Sequence, residues 1–149
     1  MLPSDCLINS GEKNMVSKGE ELQQTEIDSD LDCLNNPSRA QYFRESGILE
    51  LKNCYSYEML AELATHRVGA SVGLVPVVVE DRQIFLGQFG LKQPWNCLGE
   101  TPLTHSFCQY VVASESPLVI SDAQQHTILK DNGAIEDLGV VSYLGVPRR

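Results

Sequence analysis

Positive charge is scarce in this chain. Only 11 Lys and Arg stand against 20 Asp and Glu among 149 residues, for a formal net charge of −9. A surface of that sign repels DNA and RNA, so no nucleic-acid partner is expected. Long apolar runs are lacking too. The longest, Val72 to Val79, contains Gly73 and Pro76 and falls far short of the roughly 20 residues a membrane helix needs. Asp5 stands close to the start with no apolar stretch beside it, unlike a secretory signal. The expected address is therefore cytoplasmic, with no membrane partner. The five cysteines, Cys6, Cys33, Cys54, Cys97 and Cys108, are odd in number and contain no Cys-x-x-Cys pair, which argues against a zinc or disulfide framework. In a reducing compartment they are expected as thiols. His66, His105 and His126 are scattered, so no metal site is expected.

What is present suffices for one core, since 42% of the residues are hydrophobic. Residues 1–36 are rich in Ser, Asn, Glu, Asp and Gln without a sustained apolar period, and read as a disordered acidic tail. A connector over 37–52 follows. Pro37 and Ser38 open a helix there, with Ser38 as its cap and Gly47 as its end. The domain itself is expected over 53–149. Its first helix begins at Ser56, because Tyr57, Leu60, Ala61, Ala64 and Val68 fall on one face of a 3.6-residue repeat. Glu58 near its start, His66 and Arg67 near its end and Gly69 beyond agree with that reading.

Ala70 to Val79 reads as a buried strand in which Pro76 marks an edge position or a bulge. Glu80 to Arg82 turns the chain, and Gln83 to Phe89 completes an antiparallel hairpin. Thr101 reads as an N-cap with Pro102 in the first turn of a second helix, whose stripe is Leu103, Phe107, Tyr110 and Val111. Leu118 to Ile120 then reads as a short central strand. A helical segment near Asn132 to Asp137, ending at Gly139, and a strand over Val140 to Val146 close the chain.

Three ordered blocks carry a family resemblance: Glu100-Thr-Pro-Leu-Thr-His-Ser-Phe-Cys-Gln-Tyr110, Ser116-Pro-Leu-Val-Ile-Ser-Asp-Ala123 and Tyr143-Leu-Gly-Val-Pro147. Over Asn53 to Pro147 the chain resembles a GAF domain of bacterial signal-transduction proteins, where E-T-P-L-S-H-S-F-C-Q-H-V-V, P-L-V-V-x-D-A and Y-x-G-V-P occur in this order. The resemblance implies an α+β, GAF/PAS-like fold, an antiparallel sheet flanked by helices. It also implies two further strands and a closing helix after Y-x-G-V-P, which are missing here. An exposed, unpaired strand and a poorly covered face on the Tyr57 to Val68 helix are the expected consequences.

The resemblance implies a non-catalytic sensory or regulatory module that binds a small molecule or forms a homodimer. Such a module controls a signalling partner, a kinase, phosphatase or cyclase, and no such output domain is present. Candidate ligand-pocket residues are Trp95, His105, Cys108, Asp122 and Tyr143. No cofactor is indicated. Each candidate also has a plainer role: a lid over the core for Trp95, a small buried residue for Cys108, a turn cap for Asp122. A thiol-dependent redox enzyme or sensor using Cys97 and Cys108, with His105 one turn before Cys108, is the alternative from another class. A fragment without independent function is the third. Cys108 precedes Gln109 rather than a histidine, which argues against a covalent bilin, and the N-K-x-F-x-D-E pattern of cyclic-nucleotide GAF domains is not found.

Overall fold

A computed structural model describes residues 5–9 and 31–148. Its centre is the predicted hairpin, β2 (Val72–Val78) and β3 (Arg82–Phe89), closed where the Val79 N–H donates to the Arg82 carbonyl at 2.8 Å. Every residue of β2 is buried. Pro76 lies at a bulge, because Val75 pairs with Gly87 while Pro76 pairs with Phe85. The local break in register accommodates the missing donor. The alternative edge position does not hold, since β2 has a strand on each side.

The strand on its other side comes from the segment expected to be disordered. β1 (Asp5–Asn9) pairs antiparallel with β2, Cys6 opposite Leu74 and Ile8 opposite Val72, and antiparallel with β6 (Ser142–Val146), Asp5 opposite Val146 and Asn9 opposite Ser142. Five residues are too few to show a period against a polar background, so the strand is set by the sheet it enters rather than by its own pattern. Residues 10–30, with the rest of the expected tail up to that point, lie outside the described residues. β4 (Glu100–Pro102) and β5 (Leu118–Ile120) complete one six-stranded sheet in the order β4-β3-β2-β1-β6-β5. Two expectations are corrected by that order. β5 is an edge strand rather than a central one, and neither β2 nor β6 is left unpaired.

The helices make the architecture mixed α+β. α1 (Pro37–Ser46) starts where expected, but its cap is Asn36, whose side chain accepts from the Ser38 N–H at 2.9 Å. Gly47 ends it with φ of 69°. α2 (Tyr55–Val68) lies on one face of the hairpin, with Ala61 and Thr65 turned inward and Thr65 Oγ1 donating to the Ala61 carbonyl at 2.6 Å. Its backbone comes close enough that a side chain at Gly73 or Gly87 would collide with it. Tyr55, Met59 and Leu63, at i, i+4 and i+8, remain exposed on the far side. The opposite face of the sheet carries the larger core, in which Leu74, Phe85, Phe107, Val111 and Tyr143 pack together. Phe43, Ile48, Val77 and Leu86 form a second cluster on the α2 side.

Around the motif the chain departs from the expected single helix. Glu100 to Pro102 pairs with β3, Thr101 opposite Gln83, and Leu103 to His105 makes one 3-10 turn. Only then does α4 (Cys108–Ser114) begin, following the one-turn α3 (Trp95–Leu98). Thr101 is not a helix cap because Gln83 Nε2 donates to its hydroxyl at 2.6 Å, holding it in the sheet layer. α5 (Gly133–Asp137) is capped by Asn132, which accepts from the Ala134 N–H at 2.9 Å.

Candidate functional site

The motif residues form a polar network within the core. Gln83 accepts from Ser106 Oγ at 2.9 Å, and Ser106 Oγ in turn accepts from the Gln109 N–H at 3.1 Å, capping α4. Gln109 Nε2 donates to the carbonyls of Leu103 and Ser106 at 2.7 and 2.8 Å. All of Gln83, Thr101, Ser106 and Gln109 are buried. The network satisfies the polar atoms that the turn would otherwise strand in the core. Ser106-x-x-Gln109 has the spacing of a capping box, a signal that could have placed the helix start correctly.

The five candidate pocket residues do not converge. His105 Nε2 lies 2.6 Å from Asp137 Oδ2, and its Nδ1 lies 2.9 Å from Thr104 Oγ1, with the Trp95 ring 5.4 Å away. This ties the 3-10 turn to α5 under a half-buried tryptophan. Cys108 instead lies in the core, accepting from the Tyr143 hydroxyl at 3.5 Å, and the Tyr143 ring is 5.2 Å from Phe107. Burial raises the Tyr143 phenol above its ordinary value. Asp122 accepts from the Gln124 N–H at 3.1 Å, which is the turn-capping role.

Two readings of the cysteines need correction. Cys108 is the first residue of α4, not a residue deep inside a longer helix. It is also disulfide-bonded, whereas Cys97 is an exposed thiol, so the two do not form one dithiol pair. The disulfide at Cys108 departs from the expectation that the cysteines are thiols throughout. Among the described residues no group of His, Cys, Asp and Glu gathers to hold a metal, and no helix is long and apolar enough to cross a membrane.

A cavity of about 400 Å³ opens elsewhere, between α1 and the β2–β3 turn, lined by Arg39, Phe43, Leu49, Glu80 and Arg82 among others. None of the five candidates lines it. The Arg39 guanidinium lies over the Phe43 ring at 4.7 Å, and its buried Nε has no hydrogen-bond partner among the described residues. Burial lowers the Arg39 pKa, while Cys33 and Glu80 act in the opposite direction. No sequence period marks this cavity, because it forms where two separate elements meet.

Fold and cavity together define an α+β protein with one antiparallel sheet between helices and a lateral pocket that mixes apolar walls with arginines and the carboxylates of Glu80 and Asp81. No model of a known protein family and no curated protein matches the chain.

Proposed function

We propose that this chain is a non-catalytic regulatory module of the GAF kind, which binds a small molecule and passes the bound state to a signalling partner. The observation that carries the binding role is the cavity with Arg39 at its wall, where a buried guanidinium N–H lacks an acceptor. Arg39 and Arg82 place guanidinium groups on its wall, with which an anionic group of a ligand would pair. The chemistry suits a small organic anion whose apolar part rests on Phe43 and Leu49. The resemblance of the Glu100 to Tyr110 block supports the GAF reading, as does an antiparallel sheet with α2 on one face and the motif on the other. The exposed row Tyr55, Met59 and Leu63 supports contact with a second copy or a partner, a kinase, phosphatase or cyclase.

The test is a thermal-shift screen of small carboxylates and phosphates on the full chain, repeated on Arg39→Met. A true ligand at a hundredfold its Kd should stabilise the native protein by about 2.7 kcal/mol. That stabilisation should be lost in Arg39→Met. A screen without a hit, or a hit indifferent to Arg39, would reject the pocket. A second reading, thiol-based redox sensing, is favoured by one specific observation, the disulfide at Cys108.

A further inference from the structure

The cavity beside α1 carries charge of both signs, and its two walls divide them. α1 contributes Arg39 and Arg44, while the β2–β3 turn contributes Glu80, Asp81 and Arg82. Part of that charge is already matched within the turn. Arg82 lies 3.4 Å from Asp81 and 3.9 Å from Glu100. The other ion pairs among the described residues are Lys52–Glu100 and His105–Asp137, so Arg39 and Arg44 on one wall and Glu80 on the other belong to none. Burial lowers the Arg39 pKa while Cys33 and Glu80 oppose that shift, so Glu80 is felt at the guanidinium without touching it. Beneath the charges lies an apolar floor. Leu34, Phe43 and Val79 all line the cavity and are buried. The Phe43 ring also holds the Arg39 guanidinium in place, 4.7 Å from its centroid.

Two walls of opposite charge kept apart over an apolar floor match a molecule with three corresponding parts. A simple carboxylate or a phosphate would meet Arg39 but would also face the carboxylates of Glu80 and Asp81, which repel it. An amine alone would meet the converse conflict at the arginines. A zwitterion answers both walls at once, and an apolar substituent on it covers the floor. The volume, about 400 Å³, suits a small ligand, since small-molecule pockets run from about 300 to about 1,000 Å³.

We propose that this cavity binds a free amino acid with an apolar side chain, its carboxylate toward Arg39 and Arg44 and its ammonium toward Glu80. The inference rests on the reading of the cavity as a ligand site and narrows the anion to one half of a zwitterion. Such a ligand bridges α1 to the β2–β3 turn, replacing an ion pair that the protein does not make by itself. The bound state would therefore be written in the position of α1 against the hairpin.

Titration calorimetry on the full chain with two sets of three probes tests the assignment. One set is leucine, 4-methylpentanoate, which lacks the amino group, and 3-methylbutylamine, which lacks the carboxylate. The other is phenylalanine, 3-phenylpropanoate and 2-phenylethylamine. In at least one set the amino acid should bind tighter than either analogue by on the order of 10-fold. Glu80→Gln, a change at an exposed turn position, should reduce the amino acid to the affinity of its deaminated analogue without weakening that analogue. Amide exchange should slow over residues 39–44 and 80–82 when the amino acid is bound. A deaminated analogue that binds as well as its amino acid, with both lost in Arg39→Met, would overturn the zwitterion and leave an anion site standing. Binding indifferent to Glu80→Gln, or protection confined to other segments, would overturn the assignment as well. Silence of all six probes would overturn it too, while the screen of carboxylates and phosphates separately decides whether the cavity takes an anion.

Discussion

Gln83 shows how one buried side chain can decide the path of a whole segment. Its amide donates to Thr101 and its carbonyl accepts from Ser106, so the residues before and after the 3-10 turn are both tied to β3. Replacement by Leu keeps the volume but strands two buried hydroxyls. Gln83→Leu should therefore lower stability by about 1–3 kcal/mol, read as a fall in the urea midpoint at constant slope. An unchanged midpoint would show that water replaces the lost bonds without cost. Tyr143 offers a second test because burial raises its phenol pKa. Below the ordinary value near 10, folded and unfolded chains both keep the proton, and pH has no leverage through this group. Above it the unfolded chain loses the proton while the folded chain holds it, so stability falls as pH rises by about 1.4 kcal/mol per unit. Tyr143→Phe should lack that part of the alkaline slope. Parallel denaturation series of the two proteins from pH 9 to 11 would reveal a difference, and identical slopes would contradict it.

Among elements, the contact between α2 and the hairpin is the most closely fitted. A methyl group at Gly87 would meet the backbone of Tyr57 and Glu58, which cannot rotate aside as a side chain can. Gly87→Ala should push the helix off the sheet and cost about 1–3 kcal/mol, with the loss visible as a lower thermal midpoint. A stability equal to the parent would mean that α2 rides higher on the sheet than described. The helix itself was legible in the sequence, because its start signals, period and Gly69 all agree, and the β2–β3 hairpin was legible for a like reason. Yet the face was read only in part: Ala61 is buried as the stripe predicts, while Val68 is exposed and Thr65 takes an inward place. The motif helix was misread because Thr101-Pro102 has the chemistry of a helix start, and only the distant Gln83 reveals that it ends a strand. The cavity at Arg39 was not legible at all. Its walls come from α1, from Leu34 and Leu49 on either side of it, and from the hairpin turn, which nothing local in these segments relates.

At the scale of the molecule, electrostatics and topology meet at the connection behind β1. Between Ser10 and Asp30 the sequence holds Glu12, Glu20, Glu21, Glu26, Asp28 and Asp30 against Lys13 and Lys18, and the whole chain carries −9. That acidic composition is what made the first 36 residues read as a tail and concealed a strand that completes the centre of the sheet. The charge also sets how the fold answers to salt. The ion pairs Lys52–Glu100 at 3.2 Å and Arg82–Asp81 at 3.4 Å are solvent-exposed to a third or more, and such pairs contribute little. Mutual repulsion among the excess carboxylates outweighs them, and it opposes the compact state. Raising ionic strength from about 0.01 to about 0.15 M shortens the Debye length from about 30 to about 8 Å, which screens long-range repulsion more than the close pairs. The urea midpoint should consequently rise with sodium chloride over that range, and the gain should exceed that of a variant with Glu20, Glu21 and Glu26 changed to Gln. A midpoint that falls with salt would mean that the few attractive pairs, and not the net charge, govern the electrostatics of the fold.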